Sequence, residues 1–408
     1  MFSKFVSSVS SNIHKNYDVQ PHPKFHSGPW AVYDAHRRTS APGTHSSLVS
    51  VFVFEKKSLD QAASLRSSSS SSSKTKNEIV FSRLKKEVSL LSRLRHPCLL
   101  EVVEPIEESR ATLTFVTERV IANLQLLVGG YDDPDGYSDG RSTGSGRQVN
   151  ELDELEIQSG LSSLTKGLQF LHESANIVHS NLTPQAVYVN NKGDWKIGGF
   201  GFGISTKAEG AGPNEGYEFP EYDSRLPRSV QRNLDFLGTL TVGLWKLMTL
   251  APEYVMEEKV ENTSDMFSLG CIIVAIHNKG RSIINSNQSI HTYRQQIAKL
   301  DSLVSSARIP SYLRGISFLI SINLIIDTLR QLLIVSPYDR LSASNFQHSP
   351  LFDNILMNSI KFLDAFPEKT NAEKNSFLRG FVKILPQFSD RVRQRKVLLI
   401  AKHWDLQL

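Results

Sequence analysis

The chain has 408 residues, of which 40% are hydrophobic and 21% are charged, a balance typical of a globular protein with a large buried core. Its formal net charge of +5 is small for this length, and no basic stripe with interleaved aromatic residues predicts a nucleic-acid interface. The cysteines, Cys98 and Cys271, are too few for a disulfide framework and have no metal-ligand spacing, so a reducing compartment is expected. The longest apolar run, 315–326, is shorter than the roughly 18 residues of a membrane-spanning helix.

Residues 1–24 are predicted to form an N-terminal tail without the apolar core of a secretory signal. Phe2, Phe5, Val6, Val9 and Ile13 recur at helical spacing, with basic residues close by. This pattern fits a weak membrane-surface helix, so peripheral membrane association is one expectation. The alternative is a tail that is frayed or packed against a partner.

Residues 25–121 have the pattern of a β-rich region with one helix. Residues 48–54 and 112–116 are rich in β-branched and aromatic side chains, which predicts buried strands. Between them, apolar residues from Leu84 to Leu94 recur at helical spacing, and Pro97 stops the helix. The Ser-rich segment at about 64–77 predicts a disordered loop before this helix.

Residues 122–352 are predicted to be mainly helical. The segment 129–150 is rich in Gly, Asp and Ser and predicts a flexible insertion. Leucines spaced through 152–171 mark a long amphipathic helix, and a short hairpin with its turn at 190–194 follows. A small β-rich lobe followed by a larger helical lobe places the chain in the α+β class.

A series of short motifs indicates the family. They occupy residues 49–57, 177–184, 195–200, 251–254 and 263–270, in that order. Their order resembles a eukaryotic protein kinase domain over residues 25–352. Their degenerate forms resemble the Scy-one-like (SCYL) pseudokinases, especially the coated-vesicle-associated branch. The resemblance implies a bilobal kinase-like fold, with an N-lobe at 25–121 and a C-lobe at 122–352.

The positions that carry kinase chemistry are degenerate. Phe52 stands where the phosphate-gripping lysine belongs, and Asn181 replaces the aspartate that accepts the substrate proton. Thr183 replaces a lysine, while Ala186 and Gly199 replace the two magnesium ligands. An amide cannot act as a base at neutral pH. The resemblance therefore implies no catalytic residue and no metal site.

The sequence leaves open a site for ATP without a metal. Lys56 lies four residues beyond the missing lysine, about 13 Å along a strand, which argues against a direct substitution. Glu87 matches the helix glutamate that would pair with that lysine, and is predicted to be a surface or rewired carboxylate. Thr117, Glu118 and Val120 form a hinge that could seat the adenine ring of ATP.

The residues that hold a kinase fold together are retained. By resemblance, His179 packs and hydrogen-bonds within the catalytic loop, and Phe200 is a core residue. Glu253 and Arg340 match a buried ion pair. Asp265 matches the aspartate that receives backbone N–H bonds from the catalytic loop. A protein-binding module built on a kinase fold would keep the residues that stabilise the fold and lose the residues that carry out the chemistry.

Several segments depart from the family pattern or lie beyond it. The apolar stretches 237–250 and 315–326 interrupt it, and are interpreted as translated introns or gene-model errors, or else as hydrophobic docking patches. Residues 353–408 resemble the start of a HEAT-like helical solenoid, truncated at Leu408. Its basic stretch, 391–396, has the alternative interpretation of a solvated helix face.

The resemblance predicts a non-catalytic scaffold or adaptor in clathrin-linked vesicle traffic between the trans-Golgi network and endosomes. Expected partners are clathrin and adaptor-type coat proteins, at cytoplasmic sites peripheral to vesicle membranes, with no cofactor required. One alternative is a weak serine/threonine kinase that uses Lys56 or Lys57. Another is a nucleotide-binding switch without phosphoryl transfer.

Overall fold

The chain folds into a β-rich N-terminal lobe and a helical C-terminal lobe around a shared hydrophobic core. The computed structural model describes residues 12–38, 47–57, 70–129, 152–206, 248–257, 259–284, 290–305 and 322–397. The predicted α+β class, with a β-rich lobe followed by a larger helical lobe, is confirmed. The flexible insertion predicted within 129–150 lies outside the described residues, apart from Gly129 at its edge.

The N-lobe sheet is antiparallel, with strand order β1-β3-β4-β6-β5 and β2 paired to β3. Its central strand β4 carries the β-branched and aromatic run and is buried on both faces. The strands of this sheet are β1 (Tyr17–Val19), β2 (Phe25–Ser27), β3 (Trp30–Arg37), β4 (Leu48–Glu55), β5 (Val102–Glu108) and β6 (Thr112–Glu118).

Two small sheets lie at the start of the C-lobe and flank the catalytic-loop region. One has the order β10-β9-β7 and contains the predicted hairpin, and the other pairs β8 with β11. Their strands are β7 (Val120–Asn123), β8 (Ile177–Val178), β9 (Val187–Asn190), β10 (Trp195–Ile197) and β11 (Ile204–Ser205). Because β7 continues directly from the hinge, this sheet ties the hinge to the hairpin.

The N-terminal segment from residue 12 onward is an integral part of the N-lobe. Ile13 and Tyr17 are 2% and 1% exposed, and they pack on the outer face of the sheet against Val51 and Val116. The Tyr17 hydroxyl donates to Glu104 at 3.0 Å. The predictions of a frayed tail or a membrane-surface helix are therefore wrong for residues 12–24, because β1 pairs with β3. Residues 1–11 lie outside the described part.

The helix before β5 begins earlier than the sequence predicts. It spans Ser70–Arg93, so the disordered loop predicted at about 64–77 is wrong from Ser70 onward, while 64–69 lie outside the described residues. Serine costs only a few tenths of a kcal/mol per residue in a helix. A helix that packing of Val80, Leu84 and Val88 already stabilises can therefore extend through a serine run.

The C-lobe is built around two central helices. Helix α4 starts in a capping box at Asp153, and α6 is buried over nearly its whole surface, which explains its nearly continuous apolar sequence. The α-helices within the described residues are α1 (Asn12–Asn16), α2 (Ser70–Arg93), α3 (Leu124–Leu127), α4 (Glu154–Gln169), α5 (Pro252–Met256), α6 (Asn262–His277), α7 (Ile290–Ser305), α8 (Ile322–Leu332), α9 (Ala343–Gln347), α10 (Ile355–Asp364), α11 (Asn371–Ile384) and α12 (Asp390–Val392).

The ends of both interrupting apolar segments pack into the C-lobe. Met248 and Leu250 are 4% and 3% exposed, and the carbonyl of Leu250 accepts from the Tyr293 hydroxyl at 2.7 Å. Ile325 and Ile326 lie on the buried side of α8. Residues 237–247 and 315–321 lie outside the described part of the chain. Whether these segments are gene-model errors stays a hypothesis that transcript sequencing tests.

The C-terminal extension docks onto the kinase fold through a group of ion pairs. The Arg391 guanidinium is 3.2 Å from Glu156, and the Lys396 ammonium contacts Asp194 and lies 3.6 Å from Asp364. We call these contacts the C-terminal clasp. The basic stretch is thus not a solvated helix face, and the HEAT-like solenoid stays a prediction. Among the residues described, no helix is long and apolar enough to cross a membrane.

Candidate functional site

Aromatic side chains fill the cleft between the lobes where a kinase lysine would point. Phe52 is fully buried and stacks on Phe115, with ring centroids 4.8 Å apart. Its ring also meets Tyr188 of the C-lobe edge to face at 5.5 Å, and Trp30 meets Phe115 at 4.9 Å. We call Trp30, Phe52, Phe115 and Tyr188 the aromatic plug. Because its members come from both lobes, the plug closes this part of the cleft by direct contact.

Glu87 is rewired to an indole instead of a lysine. It is 7% exposed, and its carboxylate accepts a hydrogen bond from Trp30 Nε1 at 3.3 Å. Of the two predicted alternatives, the structure therefore excludes the surface carboxylate. The Gly28-Pro29 turn places Trp30 at the start of β3.

Lys56 lies outside the cleft. Its ammonium bonds Glu108 at 2.7 Å and the carbonyl of Ser109 at 2.8 Å, at the far end of the sheet. Lys85 approaches the other oxygen of the same carboxylate at 2.6 Å. Both lysines lower the pKa of Glu108 by hydrogen bonding. The structure thus does not bring Lys56 together with the other predicted site residues.

The hinge groups that could form hydrogen bonds with an adenine ring are instead bonded to other groups of the protein. The backbone N–H of Val120 donates to the Ser50 hydroxyl at 3.0 Å, and the Thr117 hydroxyl donates to the carbonyl of Glu118 at 2.8 Å. The carbonyl of Val120 accepts from Lys24 at 3.3 Å. A nucleotide would have to displace these bonds before it could use the same groups.

The Glu118 side chain faces the back of the hinge. Its carboxylate accepts from Asn190 at 3.1 Å and lies 3.5 Å from the Lys196 ammonium. It therefore links the hinge to the β9–β10 hairpin. This arrangement leaves Glu118 as a structural residue of the hinge.

Ala186 and Gly199, which occupy the two expected metal-ligand positions, lie in close contact with each other. Gly199 has φ +75°, and a Cβ placed on it would lie 2.9 Å from the Cβ of Ala186. The Asn181 amide donates to the carbonyl of Gly199 at 2.8 Å, and Thr183 is buried with its hydroxyl accepting from the Ala186 N–H. These side chains are neutral, so the donor set does not fit a divalent cation, which prefers carboxylates. No cluster of His, Cys, Asp or Glu able to hold a metal occurs within the described ranges.

The catalytic loop is held by buried hydrogen bonds. Asp265 accepts from the backbone N–H groups of His179 at 2.7 Å and Ser180 at 2.9 Å. Burial by itself would raise the pKa of Asp265, but the hydrogen bond and charge of His172 lower it overall. His179 contacts the carbonyl of Gly198 at 2.7 Å and packs against Phe200.

Glu253 and Arg340 form a buried bidentate ion pair, with N–O distances of 2.7 and 3.0 Å. The guanidinium also donates to the backbone carbonyls of Ile334 and Thr263. The pair therefore fixes α5 against the loop before α9, as its motif positions predict. Removal of one partner would leave an unpaired buried charge.

Helix α2 is bonded to the 3₁₀ turn that follows Gly199. Lys86 donates to the carbonyl of Gly203 at 2.7 Å, and the Arg83 guanidinium lies 4.5 Å from the centre of the Phe202 ring. These contacts hold the helix against the 3₁₀ turn Phe200–Phe202. In a regulated kinase this helix and this turn move. Here direct contacts hold them against each other.

Sequence patterns missed the roles of Ser50, Tyr188 and the Trp30 indole. Each forms a contact with a residue that is far away in the sequence. Ser50 and Val120, for example, are 70 positions apart. A signal was present for Tyr188 and Trp30, because a polar aromatic residue within a buried strand usually has a hydrogen-bond partner. The partners are Ser27 for Tyr188 and Glu87 for Trp30.

Comparisons with known proteins agree with the fold. A model of the protein kinase domain family matches residues 47–352. The protein kinase domain-containing protein ppk32 of Schizosaccharomyces pombe is 38% identical over 96% of this chain and 47% of its own length. Mouse SCY1-like protein 2 is 32% identical over 90% of this chain and 35% of its own length. A probable inactive serine/threonine-protein kinase, scy1 of Dictyostelium discoideum, is 22% identical over 57% and 23%.

A two-lobed fold with kinase motifs in order, matched by the kinase family, defines the class as protein-kinase-like. The chain belongs to the protein kinase domain family and, within it, to the SCY1-like proteins. It spans less than half the length of these relatives.

Proposed function

We propose that this chain is a catalytically inactive kinase-like domain that acts as a protein-binding scaffold. The observation that carries the proposal is the aromatic plug, since Phe52 packs against Tyr188 where an active kinase holds a lysine and the phosphates of ATP. The Trp30 indole already bonds the glutamate that the lysine would need.

Several further observations support inactivity. Kinase catalysis depends almost entirely on positioning and on electrostatic stabilisation of the transferring phosphoryl group. Asn181, Ala186 and Gly199 supply no charge, and they pack together where the metal ions would bind. The Dictyostelium relative carries the name of a probable inactive kinase, which favours the same conclusion for this chain.

The proposed setting is clathrin-linked vesicle traffic between the trans-Golgi network and endosomes, with clathrin or adaptor-type coat proteins as partners. This part of the proposal is based on the resemblance to the coated-vesicle-associated branch. It requires neither ATP nor a metal. Isolation of coated vesicles from cells that contain the tagged chain tests it, because the chain should co-purify with clathrin. A chain that stays in the supernatant while clathrin pellets would contradict the setting.

A phosphoryl-transfer assay tests inactivity. The full chain is incubated with labelled ATP, casein, and either magnesium or manganese. We expect no label on casein or on the chain above the level of the Lys56→Ala variant. Transfer that Lys56→Ala abolishes would instead support the weak kinase and overturn the proposal.

A further inference from the structure

The turn between β2 and β3, which stands where a kinase has its glycine-rich loop, is bonded to the C-lobe. Ser27, the last residue of β2, is 2% exposed, and its hydroxyl donates to the carbonyl of Gln185 in the catalytic loop at 2.7 Å. These two residues are 158 positions apart and belong to different lobes. The turn is therefore held against the catalytic loop.

A second C-lobe residue, Asn123 of β7, bonds the same turn. Its amide nitrogen donates to the carbonyl of His26 at 3.2 Å and to the Ser27 hydroxyl at 3.3 Å. Its amide oxygen caps helix α3 by accepting from the N–H of Leu126 at 3.0 Å. Because Asn123 is 1% exposed and bonded at both ends, its side chain is fixed in the position that the turn requires.

Two aromatic residues extend these contacts. The hydroxyls of Tyr188 and Ser27 are hydrogen-bonded to each other. Ser27 also lies opposite Trp30 in the pairing of β2 with β3, and the Trp30 indole bonds Glu87 of α2. A continuous series of contacts thus runs from α2 through the turn to the catalytic loop. We call Ser27, Asn123, Gln185 and Tyr188 the lobe latch.

The lobe latch opposes any separation of the two lobes. In an active kinase the glycine-rich loop closes over the nucleotide and opens again to release it. Here the same movement would break the bonds of Ser27 to the C-lobe and the Phe52–Tyr188 contact of the aromatic plug together. These contacts join the same two bodies, so none of them can be broken separately by opening the cleft.

We propose that the lobe latch holds the two lobes in one closed arrangement, so that the turn between β2 and β3 does not act as a lid. The inference goes beyond inactivity, because loss of the charged catalytic residues alone would leave the lobes free to open and close. For the proposed scaffold role, on which this consequence rests, a partner that contacts both lobes would meet a preformed surface, and closing the lobes would cost it no binding free energy.

Pulsed electron paramagnetic resonance on the full chain tests the proposal by measuring the distance between spin labels on the two lobes. The labels are attached at Asp18→Cys on β1 and Asn345→Cys on α9, because both positions are exposed. Cys98→Ser prevents labelling of the half-buried cysteine, and the buried Cys271 is left in place. We expect one narrow distance distribution in the absence of nucleotide.

Two variants weaken the lobe latch while they keep the rings of the aromatic plug. Ser27→Ala removes the hydroxyl at the centre of the latch. Tyr188→Phe keeps the ring that meets Phe52 but loses the bond to Ser27. We expect each variant to broaden the distribution or to add a second population at longer distance. If Ser27→Ala fails to fold, Tyr188→Phe decides the test.

Tyr17→Phe is the matched control, because the Tyr17 hydroxyl bonds Glu104 within the N-lobe and does not cross to the C-lobe. Its distance distribution should equal that of the parent chain. A second population in the parent chain, or an unchanged distribution in both latch variants, would overturn the proposal. No nucleotide is present in this measurement, so the proposed inactivity is tested separately.

Discussion

At the residue scale, Gly199 decides whether the metal aspartate can be restored. The left-handed backbone at Gly199 would accept an aspartate at modest cost. The Cβ of that aspartate, however, would lie only 2.9 Å from the Cβ of Ala186, which is too close for two carbon atoms. We expect Gly199→Asp to lower the free energy of unfolding by about 1–3 kcal/mol in a denaturant titration. Gly28→Asp is the control, because Gly28 also has positive φ but nothing within 4 Å of its Cβ position. Equal losses for the two variants would refute the steric account.

Glu154 gives the protein a pH dependence at the residue scale. Burial raises the pKa of this carboxyl to about 7, and Asp153 contributes. Its Oε1 has no hydrogen-bond partner in the part of the chain described. Because the folded pKa lies above the ordinary value of 4.5, its contribution to stability is complete below about pH 4.5 and is lost as the pH rises through 7.

Glu154→Gln should therefore match the parent chain near pH 5 and exceed its free energy of unfolding by about 2 kcal/mol at pH 8. His277 lines the same small cavity, and its pKa of about 4 keeps it uncharged across this range. Denaturant titrations at the two pH values measure the difference. Glu368→Gln, at an exposed site, is the control and should show none. A pH-independent effect of Glu154→Gln would contradict the prediction.

At the element scale, the N-terminal segment covers the outer face of the sheet. Tyr17 is 1% exposed and bonds Glu104, so Tyr17→Ala should cost about 3–5 kcal/mol of unfolding free energy. Asp18→Ala, an exposed change on the same strand, should cost less than about 0.5 kcal/mol. Thermal unfolding distinguishes the two. A tail that does not pack would give similar small effects for both.

The C-terminal clasp is the second feature at the element scale, and it links the C-terminal extension to the β9–β10 hairpin. Burial opposes the charge of Lys396, but Asp194 and Asp364 raise its pKa overall. Lys396→Met should speed hydrogen exchange in the β9–β10 hairpin and the hinge, because Asp194 shares Asn190 with Glu118. Lys383→Met on exposed α11 should leave exchange there unchanged. Equal exchange in both variants would show that the clasp does not reach the hinge.

Sequence patterns predicted those elements whose signal is local or carried by a motif. The hairpin turn, the apolar face of α2 and the Glu253–Arg340 pair belong to this group. The segment from residue 12 was mispredicted because a strand of three residues has too little periodicity to detect. The Trp30–Glu87 bond joins residues 57 positions apart, and no local pattern encodes it.

At the scale of the whole molecule, contacts between residues of the same chain fill the cleft in which a kinase holds its nucleotide. The aromatic plug joins the lobes at Phe52 and Tyr188, and the Ser50 hydroxyl occupies the hinge N–H of Val120. The Glu253–Arg340 pair and Asp265 keep the C-lobe in a kinase-like arrangement. The residues that carry charge in an active kinase are thus replaced at separate positions while the scaffold is retained, so restoring any one of them would not complete the set.

Thermal unfolding of the full chain in a titration with ATP, with and without magnesium or manganese, tests this account most directly. Binding to the folded state would add RT ln(1 + [L]/Kd), or about 2.7 kcal/mol at a hundredfold excess over Kd. The account predicts no rise in Tm up to millimolar ATP in any of these buffers. A rise of about 2 °C or more, with or without the metal, would contradict it.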